Sequence, residues 1–70
     1  MTDIRIVYDQ VGHTLTVWFT DGSEEYVCAE TGDDVVLIKD ATGRVIGFEK
    51  LNFSIPDPKE FRVAFETIPA

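Results

Sequence analysis

The chain has 70 residues and a mass of 7.9 kDa, room for one domain, and a folded chain of that size exposes about 4,400 Å² of surface. Six Lys and Arg stand against thirteen Asp and Glu, a net charge of −7. That balance excludes binding to nucleic acid and to anionic membrane surfaces, since both need cations to meet phosphates.

The longest apolar runs, Tyr26 to Ala29 and Val35 to Ile38, are four residues long, far short of the ~20 that cross a bilayer. Asp3 sits near the N-terminus and no apolar stretch follows it, so no secretory signal is expected and cytoplasm is the expected compartment. With 44% hydrophobic residues the chain is apolar enough to fold. Cys28 is the single cysteine, which leaves no intramolecular disulfide and no cysteine metal motif.

Turn residues cut the chain into short pieces. Residues 4–9 and 14–20 are rich in β-branched and aromatic side chains, and both read as strands. Residues 24–30, 35–40 and 45–51 follow in the same style. The connections contain Gly12, Asp21-Gly22, Gly32-Asp33-Asp34 and Ala41-Thr42-Gly43. Loops this short join antiparallel neighbours, because a parallel crossover needs a dozen residues. The expected sheet is a five-stranded antiparallel meander.

The turns also predict register. Pairing Asp9 with Thr14 sets Ile6 beside Val17 and Tyr8 beside Leu15. A two-residue turn at Asp21-Gly22 pairs Val17 with Tyr26 and Leu15 with Cys28. A three-residue loop with Gly43 left-handed pairs Asp40 with Arg44, Ile38 with Ile46 and Val36 with Phe48. One strongly apolar face then carries Ile6, Tyr8, Val17, Cys28, Ile38 and Phe48. The opposite face carries Val7, Trp18, Val27 and Leu37, with Arg5, Thr16 and Glu49 among them.

The tail changes period. Asp57 suits an N-cap, Pro58 the first helical position and Glu60 a capping box. Phe61, Ala64, Phe65 and Ile68 fall on one helical stripe. A helix over about 58–66 is expected, laid on the apolar face. The fold class expected is therefore α+β, one domain over residues 1–70. Phe61, Val63 and Phe65 also alternate, so an all-β chain with a sixth strand is the competing reading.

Tyr8-Asp9, Thr14-Leu15-Thr16-Val17-Trp18-Phe19, the run Asp40-Ala41-Thr42-Gly43-Arg44-Val45-Ile46-Gly47-Phe48-Glu49 and Leu51-Asn52 together resemble a family of short bacterial proteins. It is the domain of unknown function catalogued as number twenty-two eighty-three. The resemblance spans about Ile4 to Ser54. His13, Thr16 and Lys50 depart from the family's usual Asp, Tyr and aliphatic residue. The resemblance implies a small bacterial β-rich domain and transfers no activity or catalytic residue.

Residues with chemistry to offer are few. His13 is the only histidine, sits in a turn, and would need a hydroxyl or thiol and a third orienting group to activate a nucleophile. Cys28 is expected in the core as a small hydrophobe. Ser23 lacks the surroundings of a nucleophile elbow. Asp9 and Glu49 would have to approach within several Å to share acid–base work, and a meander sets their strands at opposite edges. Gly47 is expected to let another backbone or ring approach the sheet. No catalytic residue, cofactor or metal site is assigned.

Two surfaces remain. Asp21, Glu24, Glu25, Asp33 and Asp34 form an expected acidic rim, suited to steering a basic protein partner but not spaced as a calcium loop. Trp18, Val7, Val27 and Leu37 form an apolar patch with an aromatic anchor, the character of an interface. The functional reading is a non-catalytic interaction module that acts as a homodimer through this patch. The alternative is a small enzyme or ligand-binding domain whose site forms at the dimer interface.

Overall fold

Strands form at the five expected places. The computed structural model describes residues 3–20 and 24–70. Its elements are β1 (Arg5–Asp9), β2 (Thr14–Trp18), β3 (Tyr26–Glu30), β4 (Val35–Asp40), β5 (Val45–Lys50) and one 3₁₀ turn, Pro58–Glu60. All neighbouring strands are antiparallel.

The strand order is β1-β2-β5-β4-β3, which corrects the expected meander. β2 pairs with β5, setting Val17 opposite Phe48 and Trp18 opposite Gly47. The expected pairing of β2 with β3 does not occur, and the turn proposed for it at Asp21-Gly22 lies outside the described residues. Charge explains the exchange. β3 follows Glu24 and Glu25 and ends in Glu30, and acidic side chains are tolerated at a solvated edge. The start of β5, Val45-Ile46-Gly47-Phe48, is uncharged and takes the centre.

Gly47 makes that centre close. A Cβ built there would lie 2.6 Å from the Val17 carbonyl oxygen, so β2 passes β5 only because no side chain intervenes. The expectation of a close backbone approach at Gly47 is met.

Two local registers follow the sequence. In β1–β2, Asp9 opposes Thr14, Ile6 opposes Val17 and Tyr8 opposes Leu15. In the β4–β5 hairpin, the Asp40 N–H donates to the Arg44 carbonyl and the Gly43 N–H to the Asp40 carbonyl. Gly43 has φ +88°, as the three-residue loop requires. The Asp40 carboxylate organises this loop. It accepts from the Thr42 N–H, the Thr42 hydroxyl and the Arg44 N–H at 2.9, 2.6 and 3.0 Å.

Beyond the loop the register departs from expectation. Lys39 opposes Val45 while Ile38 opposes Gly47, so Ile46 is an extra residue in a bulge. Leu37 then faces Phe48 and Val36 faces Glu49. A one-residue slip moves a whole strand's side chains to the other face. β3 and β4 are thus turned over relative to the expected assignment. One face carries Ile6, Val17, Phe48, Leu37 and Ala29, and the other Val7, Thr16, Trp18, Ile38 and Cys28.

The domain is mostly β, with no α-helix among the described residues, which corrects the α+β expectation. The cap does form: the Asp57 carboxylate accepts from the Lys59 N–H at 3.0 Å, and Pro58 opens the turn. The chain leaves it at Phe61, which is extended at φ −80° and ψ 134°. A nine-residue helix is unstable alone, and the stripe meant to dock it stays in solvent, with Phe65 88% and Ile68 95% exposed. No sixth strand forms among the described residues.

The tail's first part is held. The Phe53 N–H donates to the His13 carbonyl at 2.8 Å. The Ile55 N–H donates to the Tyr8 hydroxyl at 2.9 Å, and the Phe53 ring meets Tyr8 edge-on at 6.1 Å. The core is thin. Among the described residues, only Ile38 and Ile46 are buried hydrophobics, at 3% and 2% exposure.

Candidate functional site: the aromatic face of the sheet

Alternation places Arg5 and Val7 of β1, Thr16 and Trp18 of β2, and Glu49 of β5 on one face. The bulge at Ile46 adds Val36 and Ile38 of β4, and through them Tyr26 and Cys28 of β3. These nine residues line one shallow concavity of about 200 Å³.

Its organising contact is between Trp18 and Tyr26, whose rings meet edge-on at 5.4 Å. β5 and β4 lie between their strands, a span of about 14 Å at ordinary strand spacing. The rings reach across because Gly47, opposite Trp18, has no side chain to stand between them. Ile38, opposite Gly47, is buried on the same face. The Arg5 guanidinium lies 6.0 Å from the Trp18 ring centre, at the outer limit of a cation–π contact. The Thr16 hydroxyl donates to the Glu49 carboxylate at 3.2 Å. The concavity is an aromatic and aliphatic surface with one cation and one anion in its lining, each already in contact with a neighbour.

The interface residues expected from sequence are divided by the fold. Trp18 and Val7 share this face. Val27 and Leu37 do not: Leu37 opposes Phe48 on the other side, and Val27 shares it by alternation with Ala29. The cause is again the bulge at Ile46. Cys28 is corrected as well. Its thiol is free and exposed on the aromatic face rather than packed in a core.

Of the expected acidic rim, Asp21 lies outside the described residues. Glu24 and Glu25 precede β3 and Asp33 and Asp34 follow it. The acids therefore bracket the open edge strand at both ends. Asp34 adopts φ +59°, and its carbonyl accepts from the Leu51 N–H at 2.7 Å. No group of three or more metal-ligating side chains occurs among the described residues.

Asp9 and Glu49 come closer than a meander would allow, since both strands flank β2. Their carboxylates do different work. Asp9 accepts from the Val11 and Gly12 N–H groups at 2.9 Å each, closing the β1–β2 turn, while Glu49 accepts from Thr16. His13 finds a hydroxyl: Ser54 Oγ lies 3.0 Å from His13 Nδ1. The pair is exposed, and among the described residues no acid bonds the other ring nitrogen. With φ +56° and its carbonyl bonded to Phe53, His13 fastens the start of the tail. The sequence carried no signal for this pairing, because Ser54 lies 41 residues away.

One titration is displaced. The Thr42 hydroxyl first and the Arg44 N–H next hold the Asp40 carboxyl below its ordinary value; burial opposes them, and the Thr42 N–H and the Arg44 charge add smaller lowering effects. Its side chain is 9% exposed, covered by its own turn.

Comparison with known families decides the relationship. The family described as "Protein of unknown function (DUF2283)" matches residues 5–54, from the first residue of β1 through β5 to the serine that meets His13. The chain belongs to the DUF2283 family. The DUF2283 match contains all five described strands and excludes the tail beyond Ser54. No curated protein and no solved structure matches the chain significantly. No helix among the described residues is long and apolar enough to cross a membrane.

Proposed function

We propose that this DUF2283 protein is a non-catalytic, cytoplasmic protein-interaction module that acts as a homodimer, with the Trp18 face buried between two copies. The observation that carries the reading is surface area. The chain exposes 5800 Å², where a globular chain of its mass exposes about 4,400 Å². The excess per chain, to which the exposed tail beyond Phe61 contributes, is on the scale of one side of a stable obligate interface. The radius of gyration agrees: 13.5 Å against about 11 Å for a compact chain of this length.

The Trp18 face supports the choice of surface. Val7 and Tyr26 are 42% and 50% exposed there, and Trp18 supplies a central aromatic anchor of the kind that dominates interfaces. The exposed thiol of Cys28 suits a reducing compartment. The acids at both ends of β3 and the net charge of −7 suit steering of a further, basic protein partner.

Sedimentation of wild type and Trp18→Glu at low and moderate salt tests the reading. The wild type is expected to dimerise at tens of micromolar, more tightly as salt rises, because salt screens like charges beyond ~8 Å at physiological strength. Trp18→Glu is expected to be monomeric, with far-ultraviolet circular dichroism checking that the sheet survives loss of the Tyr26 contact beside buried Ile38. A wild-type monomer under both conditions refutes the proposal.

A further inference from the structure

The tail beyond Phe61 is apolar, extended and unaccompanied. Every residue from 61 to 70 is exposed. Past the Phe61 N–H, which donates to the Pro58 carbonyl at 3.3 Å, no tail hydrogen bond joins the described residues. Its pattern is that of a strand: Phe61, Val63 and Phe65 on one side, Arg62, Ala64 and Glu66 on the other. At the same time β1 is an open edge of the sheet. An open edge presents unpaired N–H and C=O groups to any extended segment.

We propose that, in the homodimer, residues 62–66 of each copy add as an antiparallel strand to the β1 edge of the other copy. The inference rests on the homodimer reading above. Charge spacing selects both the edge and the direction. Arg5 and Asp9 lie four residues apart, as do Arg62 and Glu66. Antiparallel pairing sets Arg5 opposite Glu66 and Asp9 opposite Arg62. A parallel strand would set Arg5 opposite Arg62 and Asp9 opposite Glu66, and like charges directly opposed are destabilising. On the other edge, β3, the antiparallel strand would gain Arg62 opposite Glu30 but set Glu66 opposite Tyr26, beside Glu24 and Glu25, so only β1 satisfies both charges of the tail.

The apolar pattern agrees with the charges. In the antiparallel register Ile6 opposes Phe65 and Tyr8 opposes Val63, which extends the face that already holds Val17 and Phe48. Val7 opposes Ala64 on the Trp18 face. Residues 56–61, with their 3₁₀ turn kept, span about 16 Å, and they start beside β1, where the Ile55 N–H meets the Tyr8 hydroxyl. Within a single copy the tail stays off β1, and the exposed area noted above remains to be covered.

Cross-linking separates the possibilities. In a Cys28→Ser background, copies carrying Ile6→Cys are mixed with copies carrying Phe65→Cys and gently oxidised. A disulfide-linked pair is expected from the mixture and not from either variant alone. A chain carrying both substitutions is expected to link into a dimer; linkage within one chain at monomer mass overturns the proposal. A chain ending at Phe61 provides the second measurement, and it keeps its sheet because the deleted residues are all exposed and belong to none of its strands. Its dimer dissociation constant is expected to rise by at least ~10-fold, the scale of losing several interchain hydrogen bonds. A dimeric wild type with an unmoved constant and no mixed disulfide overturns this inference alone. A monomeric wild type overturns it together with the homodimer.

Discussion

Gly47→Ala tests the contact on which the strand order depends. The new Cβ would sit 2.6 Å from the Val17 carbonyl oxygen, below the 3.0 Å under which something must shift, and 3.4 Å from the Trp18 Cα. Both are backbone atoms, so no side chain can rotate aside, and β2 and β5 must part at the centre of the sheet. Overpacking of this kind costs about 1–3 kcal/mol. The gain from replacing a strand glycine offsets about 0.5–1 kcal/mol. The net expectation is a loss of about 1–2 kcal/mol, a large part of the ~3–5 kcal/mol that so small a core supplies. Urea unfolding followed by far-ultraviolet circular dichroism, at one fixed protein concentration, measures it. A thermal melt should fall by about 4–8 °C per kcal/mol. A midpoint equal to or above wild type would show that β2 does not pass β5 at Gly47.

Gly43→Val should cost more than ~1 kcal/mol although nothing lies within 4 Å of its Cβ, because a β-branched residue resists φ +88°; a neutral urea midpoint would reject the three-residue loop. Ile38→Ala should nearly unfold the domain, at about 2–5 kcal/mol for a buried isoleucine, whereas Phe48→Ala, half-buried beside Phe19, should cost about 2 kcal/mol. The reverse ranking in denaturant melts would mean that the core is misplaced. Asp40→Asn should flatten the acid limb of stability. The Asp40 carboxyl is lowered in the folded state, so its contribution is present above the unfolded value near ~4 and lost as pH falls through the folded one. Equal slopes for variant and wild type between neutral pH and acid would refute this.

Features set by neighbours in sequence were legible before the fold. The five strands, the Asp9–Thr14 register, the left-handed Gly43 and the Asp57 cap each depend on a few adjacent residues, and each appears where the pattern put it. Membership in the DUF2283 family was legible for the same reason, since the resemblance lay in contiguous runs. The cap shows the limit of such signals. Asp57 and Pro58 open a turn, but a helix needs a surface on which to bury its stripe, and Phe61 to Ile68 found none in this chain.

Tertiary structure alone decided the strand order and the sharing of faces. A period of two says which residues of one strand lie together, and nothing about which face of the next strand joins them. Asp21-Gly22 pointed β2 toward β3, yet the acids around β3 favour the edge, and bare Gly47 lets β5 slip beside β2. One extra residue, Ile46, then turned β3 and β4 over. That single bulge parted Val27 and Leu37 from Trp18 and brought Cys28 and Tyr26 to it. The difference depends on contacts between residues some thirty positions apart, Thr16 with Glu49 and Val17 with Phe48. No local pattern in the chain encodes those pairings, because their free energy exists only once the distant strands have met.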